Sequence, residues 1–180
     1  MRLFIAIKLP EELKTQILEI QKQLNIGILN KVKENAMHLT MKYIGEVPEQ
    51  DLGLIKENLE KIKFKPFKFK TGSLGLLGKT FLQVIYLGVQ DSKELVDLAK
   101  DVRMNVQGFG EKDTFDFLAH ITVARIKHIQ PREKPLIRKQ VDDLSDNLKE
   151  MEVEVNSFSL FQSVLGPQGP QYTELESFSA

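Results

Sequence analysis

The chain of 180 residues contains no cysteine and no tryptophan. Without thiols it can form no disulfide framework, no Cys-based zinc site and no Cys nucleophile. It also lacks net charge, because 25 basic residues balance 25 acidic ones. No whole-molecule field therefore attracts nucleic acid, and local positive charge must capture any anionic substrate.

Long apolar runs are missing as well. No segment approaches the roughly 18 apolar residues of a membrane span. The apolar start, residues 1–7, is too short for the core of a signal peptide and leads directly into a helical pattern. A hydrophobic share of 42% is ordinary for a globular protein. We therefore expect a soluble, cytoplasmic protein that does not associate with membranes.

The residue periodicities predict one order of elements, strand–helix–strand–helix–strand, in each half of the chain. In the first half, Pro10 starts the first helix and a loop spans residues 26–36. In the second half, Asp91 or Ser92 caps the first helix. The predicted strands are 3–9, one carrying His38, 67–77, 81–89, 119–129, 151–165 and 172–178; the other helices begin at residues 48 and 131, the last with Leu136, Ile137, Val141, Leu144 and Leu148 inward.

This duplication predicts an α+β fold formed by a single domain, residues 1–180. Its two lobes, approximately 1–79 and 80–180, would be related by a pseudo-two-fold axis, and terminal strands would be free to cross to the other lobe. Each lobe would be a mainly antiparallel sheet with helices on its outer face. The strands that carry His38 and His120 would then line a central cleft.

Two short segments carry the chemistry of the chain. His38-Leu39-Thr40-Met41 and His120-Ile121-Thr122-Val123 repeat the pattern histidine, aliphatic, threonine, apolar, and they use two of only three histidines. In a strand, residues two apart point the same way. Each segment would therefore direct a His and a Thr into the cleft while its aliphatic residues pack behind.

Cleavage of a phosphodiester needs a base, an acid and donors for the non-bridging oxygens. Two imidazoles can fill both proton roles near neutral pH without a metal or another cofactor, and Thr hydroxyls are suitable donors. A zinc site normally needs three or four ligands and Thr is a poor one, so we expect no metal. Asp116, four residues before His120, could orient that imidazole. His128 is followed by Gln130 rather than Thr, which is typical of a solvated strand end.

The two motifs resemble the paired H-x-T-x signatures of the 2H phosphoesterase superfamily. The wider chain is similar to its RNA 2′,3′-cyclic phosphodiesterase branch, also labelled 2′-5′ RNA ligase. One such motif is a weak signal, whereas two with matching flanks form a strong one. The similar segments span nearly the whole chain: residues 2–7, 10–12, 38–47, 120–125, 160–163 and 169–172.

The resemblance implies an RNA-processing hydrolase that converts a terminal 2′,3′-cyclic phosphate to a 2′-phosphomonoester. By motif, His38 would be the proton donor to the leaving 3′ oxygen and His120 the proton acceptor for water. Thr40 and Thr122 would bind the phosphate of an RNA end or a small cyclic nucleotide. Two alternatives stay open: 2′-5′ ligation of RNA ends through the same site, and RNA or nucleotide binding without catalysis. We expect a monomer.

Two features depart from this picture. Arg125 fits the pattern of the branch, but simple alternation puts it on the face opposite His120 and Thr122 unless the strand is bulged, so it is not counted as catalytic. Residues 61–70 alternate lysines with phenylalanines. This stretch could track an RNA backbone, but a half-buried strand with lysines guarding its edge is the favoured interpretation.

Overall fold

The computed structural model describes residues 1–78, 83–113, 116–167 and 169–180. Within them the strands are β1 (Arg2–Lys8), β2 (Ile28–Lys31), β3 (His38–Glu46), β4 (Phe67–Leu77), β5 (Val84–Val89), β6 (His120–His128), β7 (Glu152–Val155), β8 (Ser157–Gly166) and β9 (Gly169–Ser179). The helices are α1 (Glu11–Gln23), α2 (Leu52–Glu60), α3 (Lys93–Asn105) and α4 (Lys134–Asp146), with short 3-10 helices at Glu34–Ala36, Glu49–Asp51 and Pro131–Glu133.

Local sequence explains where the first helix of each half begins. α1 follows Pro10 and carries Glu11 and Glu12 in its first turn, where negative charge favours the helix dipole. α3 follows Ser92, whose side chain accepts a hydrogen bond from the backbone N–H of Leu95 at 3.3 Å. Of the two predicted capping residues, Asp91 and Ser92, it is therefore Ser92 that caps α3.

The order of strands in the sheet is symmetric about its centre. The strands run β7-β4-β5-β6-β3-β1-β8-β9, with β2 also paired to β6, and all their pairings are antiparallel. α1, which follows β1, contacts β6, and α3, which follows β5, contacts β3. The predicted α+β class with a mainly antiparallel sheet is confirmed. The lobe boundary after residue 79 lies outside the described residues and stays a prediction.

The helices cover one face of this sheet. The inward side chains of the two motif strands, among them Leu39 and Ile121, are fully buried in one hydrophobic cluster with residues of the helices such as Leu13, Ile17 and Leu95. Burial of this continuous apolar surface is the main favourable contribution to folding. The opposite face of the motif strands is left open for polar side chains.

Three expectations about elements were wrong. The predicted loop over residues 26–36 contains β2, which pairs with β6. The predicted strand over residues 151–165 is two strands that separate at Asn156, because β7 pairs with β4 whereas β8 pairs with β1. Leu136, expected inside, is 54% exposed, since α4 packs through Ile137 and Val141. Residues 81–82 of the strand predicted over residues 81–89 are outside the described residues.

No helix in the described part of the chain is long and apolar enough to cross a membrane.

Candidate active site

The cleft forms where β3 and β6 diverge. The two strands share only the antiparallel pair Leu39 and Ile121, the aliphatic residues that follow the two motif histidines. Beyond that pair, β2 occupies the edge of β6. Leu39 and Ile121 are buried, while His38, Thr40 and the corresponding residues of the second motif are partly exposed on the other face. The alternation predicted for both motifs is therefore present.

A cavity of about 390 Å³ lies at this divergence. His38, Thr40 and Thr122 line it, so three of the four predicted site residues share one pocket. The fourth, His120, lies close enough for its charge to act on His38. The pocket is completed by the segment from β2 to the motif, by the end of β6 and by β9: Asn30, Lys31, Val32, Lys33, Ala36, Arg125, Lys127, Pro167, Gly169, Pro170 and Tyr172.

Both motif histidines are held by the same backbone contact. Nδ1 of His38 lies 2.8 Å from the carbonyl oxygen of Ala36, and Nδ1 of His120 lies 2.8 Å from that of Leu118. A carbonyl oxygen only accepts, so Nδ1 carries the proton in each ring. Nε2 of the neutral ring is then left as an acceptor. Asp116 does not orient His120, because the carbonyl of Leu118 holds its Nδ1.

The surroundings of the two rings differ. The centroid of His38 lies 4.8 Å from that of Phe4 and 5.4 Å from that of Tyr172, whereas His120 faces the edge of Tyr86 at 5.8 Å. The pKa of His38 is lowered from 6.5 to about 4. Burial is the largest cause, the hydrogen bond to Ala36 opposes it, and the charges of Arg125 and His120 add to the lowering. His38 is therefore neutral at neutral pH when no anion is bound.

A bulge in β6 brings Arg125 into the cleft. In the pairing with β5, Tyr86 lies opposite Thr122 and Ile85 lies opposite Ala124, so Val123 is an extra residue. The extra residue restores Arg125 to the face of His120 and Thr122, where it lines the pocket. The bulge carbonyl of Val123 accepts from the backbone N–H of Val32 at 3.1 Å and from Nε2 of Gln21 at 2.8 Å, which fixes it in place.

β3 carries the same irregularity. Opposite β1, Ala6 pairs with Thr40 and Ile5 pairs with Lys42, so Met41 is the extra residue. Tyr43 thereby takes the position in the first half that Arg125 takes in the second. Arg125 lines the cavity and Tyr43 does not, so the pseudo-symmetry of the backbone does not extend to the charge of the site.

The remaining polar features lie apart from the cleft. His128 is exposed at the end of β6, as predicted. In the lysine and phenylalanine stretch, Lys68 and Lys70 form ion pairs with Glu152 and Glu150 at 2.6 and 2.9 Å, and Phe69 is buried. These contacts are those of a half-buried strand. Across the described ranges, no group of three or more His, Cys, Asp or Glu side chains is arranged to hold a metal ion.

Comparison with known proteins identifies the family. The model of the LigT-like phosphoesterases matches the chain twice, over residues 7–86 and 87–172. The chain is a LigT-like phosphoesterase. The two matches are consecutive and together cover most of its length, as an internal duplication requires.

Named relatives of this LigT-like phosphoesterase extend over its whole length. It is 33% identical to the RNA 2′,3′-cyclic phosphodiesterase of Archaeoglobus fulgidus over 99% of both chains. A crystal structure of a Thermus thermophilus protein is 27% identical with a TM-score of 0.81, covering 99% of this chain and 97% of the other. Escherichia coli LigT, crystallised with 3′-AMP, shares the fold at 21% identity and a TM-score of 0.78 over 99% and 97%.

Proposed function

We propose that the protein hydrolyses RNA 2′,3′-cyclic phosphate ends to 2′-phosphomonoesters. The observation that carries the proposal is the pair of imidazoles at one cleft, each held through Nδ1 so that Nε2 is free for proton transfer. Membership of the LigT-like phosphoesterases and the name of the Archaeoglobus relative support the same reaction.

The proposed reaction uses one imidazole on each side of the phosphorus. His120 accepts a proton from water as the water oxygen forms its bond to phosphorus. His38 donates a proton to the 3′ oxygen as the bond between phosphorus and that oxygen breaks. The product keeps the phosphate on the 2′ oxygen, and the protons that the two histidines exchange return to solvent.

Neutral and charged donors would hold the phosphate during this step. The hydroxyls of Thr40 and Thr122 line the cleft and can each donate to a non-bridging oxygen. Arg125, which lines the same cleft, adds a cation whose planar group suits two oxygens of one phosphate. Its position supports a role in stabilising the charge that develops in the transition state.

The donor role of His38 depends on substrate. Its pKa is about 4, so its Nε2 carries no proton to give at neutral pH. A phosphate anion beside the ring stabilises the imidazolium and raises that pKa. The low pKa of His38 favours the reverse assignment, with His38 as base and His120 as acid, and this is the second candidate mechanism.

The test is turnover of a short RNA ending in a 2′,3′-cyclic phosphate, with excess EDTA, by the wild type and by His38→Ala and His120→Ala. We expect conversion to a 2′-phosphate by the wild type and loss of that product in both variants. The same assay with an added 5′-hydroxyl RNA detects 2′-5′ ligation. Binding of the RNA without either product would leave a non-catalytic binder and overturn the proposal.

A further inference from the structure

One wall of the cleft concentrates basic side chains that have no partner of their own. Lys31 and Lys33 reach it from β2 and the segment that follows, and Lys127 reaches it from β6. Among the described residues none of the three makes an ion pair or a side-chain hydrogen bond. Eight lysines outside the cleft do form ion pairs with carboxylates: Lys8–Glu174, Lys14–Glu11, Lys22–Glu19, Lys56–Glu176, Lys68–Glu152, Lys70–Glu150, Lys93–Asp97 and Lys139–Asp143. Other exposed lysines, such as Lys63 and Lys65, form no such pair with a described residue, but they do not line the cleft.

The segment related to β2 by the duplication carries the reverse charge, and that charge is already neutralised. The spacing of 82 residues between the motif histidines (120 − 38) relates Lys31 to Asp113. Asp113 accepts from Nζ of Lys42 and from Nε of Arg103, each at 2.9 Å. Lys42, a residue of β3, is itself buried. The described residues that line the cleft include Lys31, Lys33, Arg125 and Lys127 and no Asp or Glu, although the chain as a whole has no net charge.

This asymmetry has a consequence for a polyanionic substrate. A mononucleotide cyclic phosphate brings one negative charge, which Arg125 and the motif threonines can hold. An RNA brings a further phosphate with every nucleotide on the 5′ side of its reacting end. Unpaired lysines along a groove attract such a backbone without selecting its sequence. Cations already paired with carboxylates attract it far less.

We propose that the RNA strand leaves the cleft over β2, where Lys31, Lys33 and Lys127 bind the phosphates on the 5′ side of the reacting end. This inference rests on the proposed function and adds a substrate preference to it. The enzyme turns over cyclic-phosphate oligonucleotides with a higher kcat/KM than the matching mononucleotide. The preference falls as salt rises, because it comes from phosphate neutralisation.

The experiment compares two triple variants with equal loss of charge. The first carries Lys31→Gln, Lys33→Gln and Lys127→Gln. The matched control carries Lys63→Gln, Lys65→Gln and Lys100→Gln, which change exposed lysines outside the cleft. Each protein is assayed on a cyclic-phosphate mononucleotide and on an oligonucleotide with the same terminal nucleotide. Binding of a labelled oligonucleotide with a 2′-phosphate end is followed against salt.

We expect the ratio of kcat/KM for oligonucleotide over mononucleotide to fall at least several-fold in the cleft variant and to stay unchanged in the control. In the cleft variant, the slope of log binding constant against log salt concentration should decrease in magnitude by about 2. Three phosphate contacts are lost, and each contact on a single strand contributes about 0.7. An unchanged ratio and slope, or an equal loss in the control, would overturn the inference.

Failure of the proposed function gives a different result. If the wild type cleaves neither substrate, the reaction is wrong. The salt dependence of oligonucleotide binding still tests the path over β2. If the wild type cleaves both substrates with equal kcat/KM, the reaction stands and the path over β2 is wrong.

Discussion

The two halves of the cleft have the same backbone arrangement around their histidines, but different side chains surround the two rings. His38 and His120 lie 82 residues apart, and the same spacing relates Phe4 to Tyr86, the ring beside each. Both imidazoles donate through Nδ1 to a carbonyl two residues earlier. Only His38 also packs against Tyr172 from β9, and burial lowers its pKa to about 4.

Under the proposed mechanism, this difference lets a duplicated scaffold supply two different proton carriers. The repeated backbone contact fixes the same tautomer in both rings, so each offers Nε2 for proton transfer. The burial of His38 then lowers the pKa of that ring. A pair of titratable groups in unlike environments is the arrangement that divides acid from base.

The roles of the two histidines can be separated with sulfur. His38→Ala and His120→Ala should each lower kcat on the natural substrate by about 10² to 10⁴, the usual contribution of acid–base catalysis. In a cyclic phosphate with a 3′-bridging sulfur, the leaving thiolate needs no proton. Under the proposed assignment, His38→Ala recovers most of its activity on that substrate and His120→Ala does not. Single-turnover rates with both substrates measure this.

The opposite pattern is equally informative. If His120→Ala, and not His38→Ala, recovers activity on the sulfur substrate, then His120 is the acid and His38 is the base. The paired-histidine mechanism would still hold. The double variant should be hardly slower than either single one, because groups that act as a unit are not additive. Full additivity would contradict concerted action of the pair.

The bulge residues provide the next contrast. Arg125 and Tyr43 follow corresponding bulges, but only Arg125 lines the cavity. Arg125→Gln should lower kcat/KM by about 10²-fold, the effect of removing one donor to developing charge. Tyr43→Phe should have a much smaller effect. Steady-state kinetics on one cyclic mononucleotide compares them, and equal losses would remove Arg125 from the site.

Arg125 also marks the limit of what the sequence could predict. Alternation located His38, Thr40 and Thr122 on the open face because two-residue periodicity holds within each motif. It failed at Arg125 because a bulge adds a residue without a marker in the sequence. Only the partner strand shows that Val123 lacks its own opposite residue. The same bulge after Thr40 was hidden for the same reason.

In the fold, too, local sequence signals were predictive and long-range strand pairings were not. Elements with strong local signals were predicted well, such as β4 over Phe67–Leu77 and α3 after its Ser92 cap. The break at Asn156 was missed because β7 and β8 both alternate, and alternation does not say which strand is the partner. β2 was missed because four residues carry little periodicity. Its position depends on contacts with β6, far away in the chain.

The low pKa of His38 predicts a specific acid sensitivity. Between its ordinary pKa of 6.5 and about 4, the unfolded chain binds a proton that the folded protein excludes. The free energy of unfolding therefore decreases as pH falls through this window, by about 3 kcal/mol in total. Above pH 6.5 the protonation of His38 has no effect on stability. Denaturant unfolding at pH 7 and pH 4.5 should show a larger loss in the wild type than in His38→Gln.

A control at the third histidine makes this test specific. His128 is exposed at the end of β6, so His128→Gln should lose as much stability on acidification as the wild type. In Tyr172→Ala, solvent reaches the ring of His38, and its NMR titration should move up towards 6.5. Parallel acid losses in the wild type and His38→Gln would show that burial does not govern the protonation of His38.

The smallest expected effect concerns the helix that follows the first strand of each half. Ser92 and Pro10 stand at corresponding positions, but only Ser92 caps its helix with a side chain. Ser92→Ala should lower the free energy of unfolding by about 1 kcal/mol, and Ser92→Asp, which keeps an acceptor, should preserve it. Urea unfolding measures both variants.

Turnover should be unchanged in Ser92→Ala, because α3 lies on the face of the sheet away from the cleft and contacts β3 through buried residues. A loss of kcat together with stability would mean that the helices help to hold the motif strands in their catalytic register. Unchanged kcat would mean that the register is held within the sheet, by the bulges and the single pair between Leu39 and Ile121. The halves can then start their helices differently without disturbing the site between them.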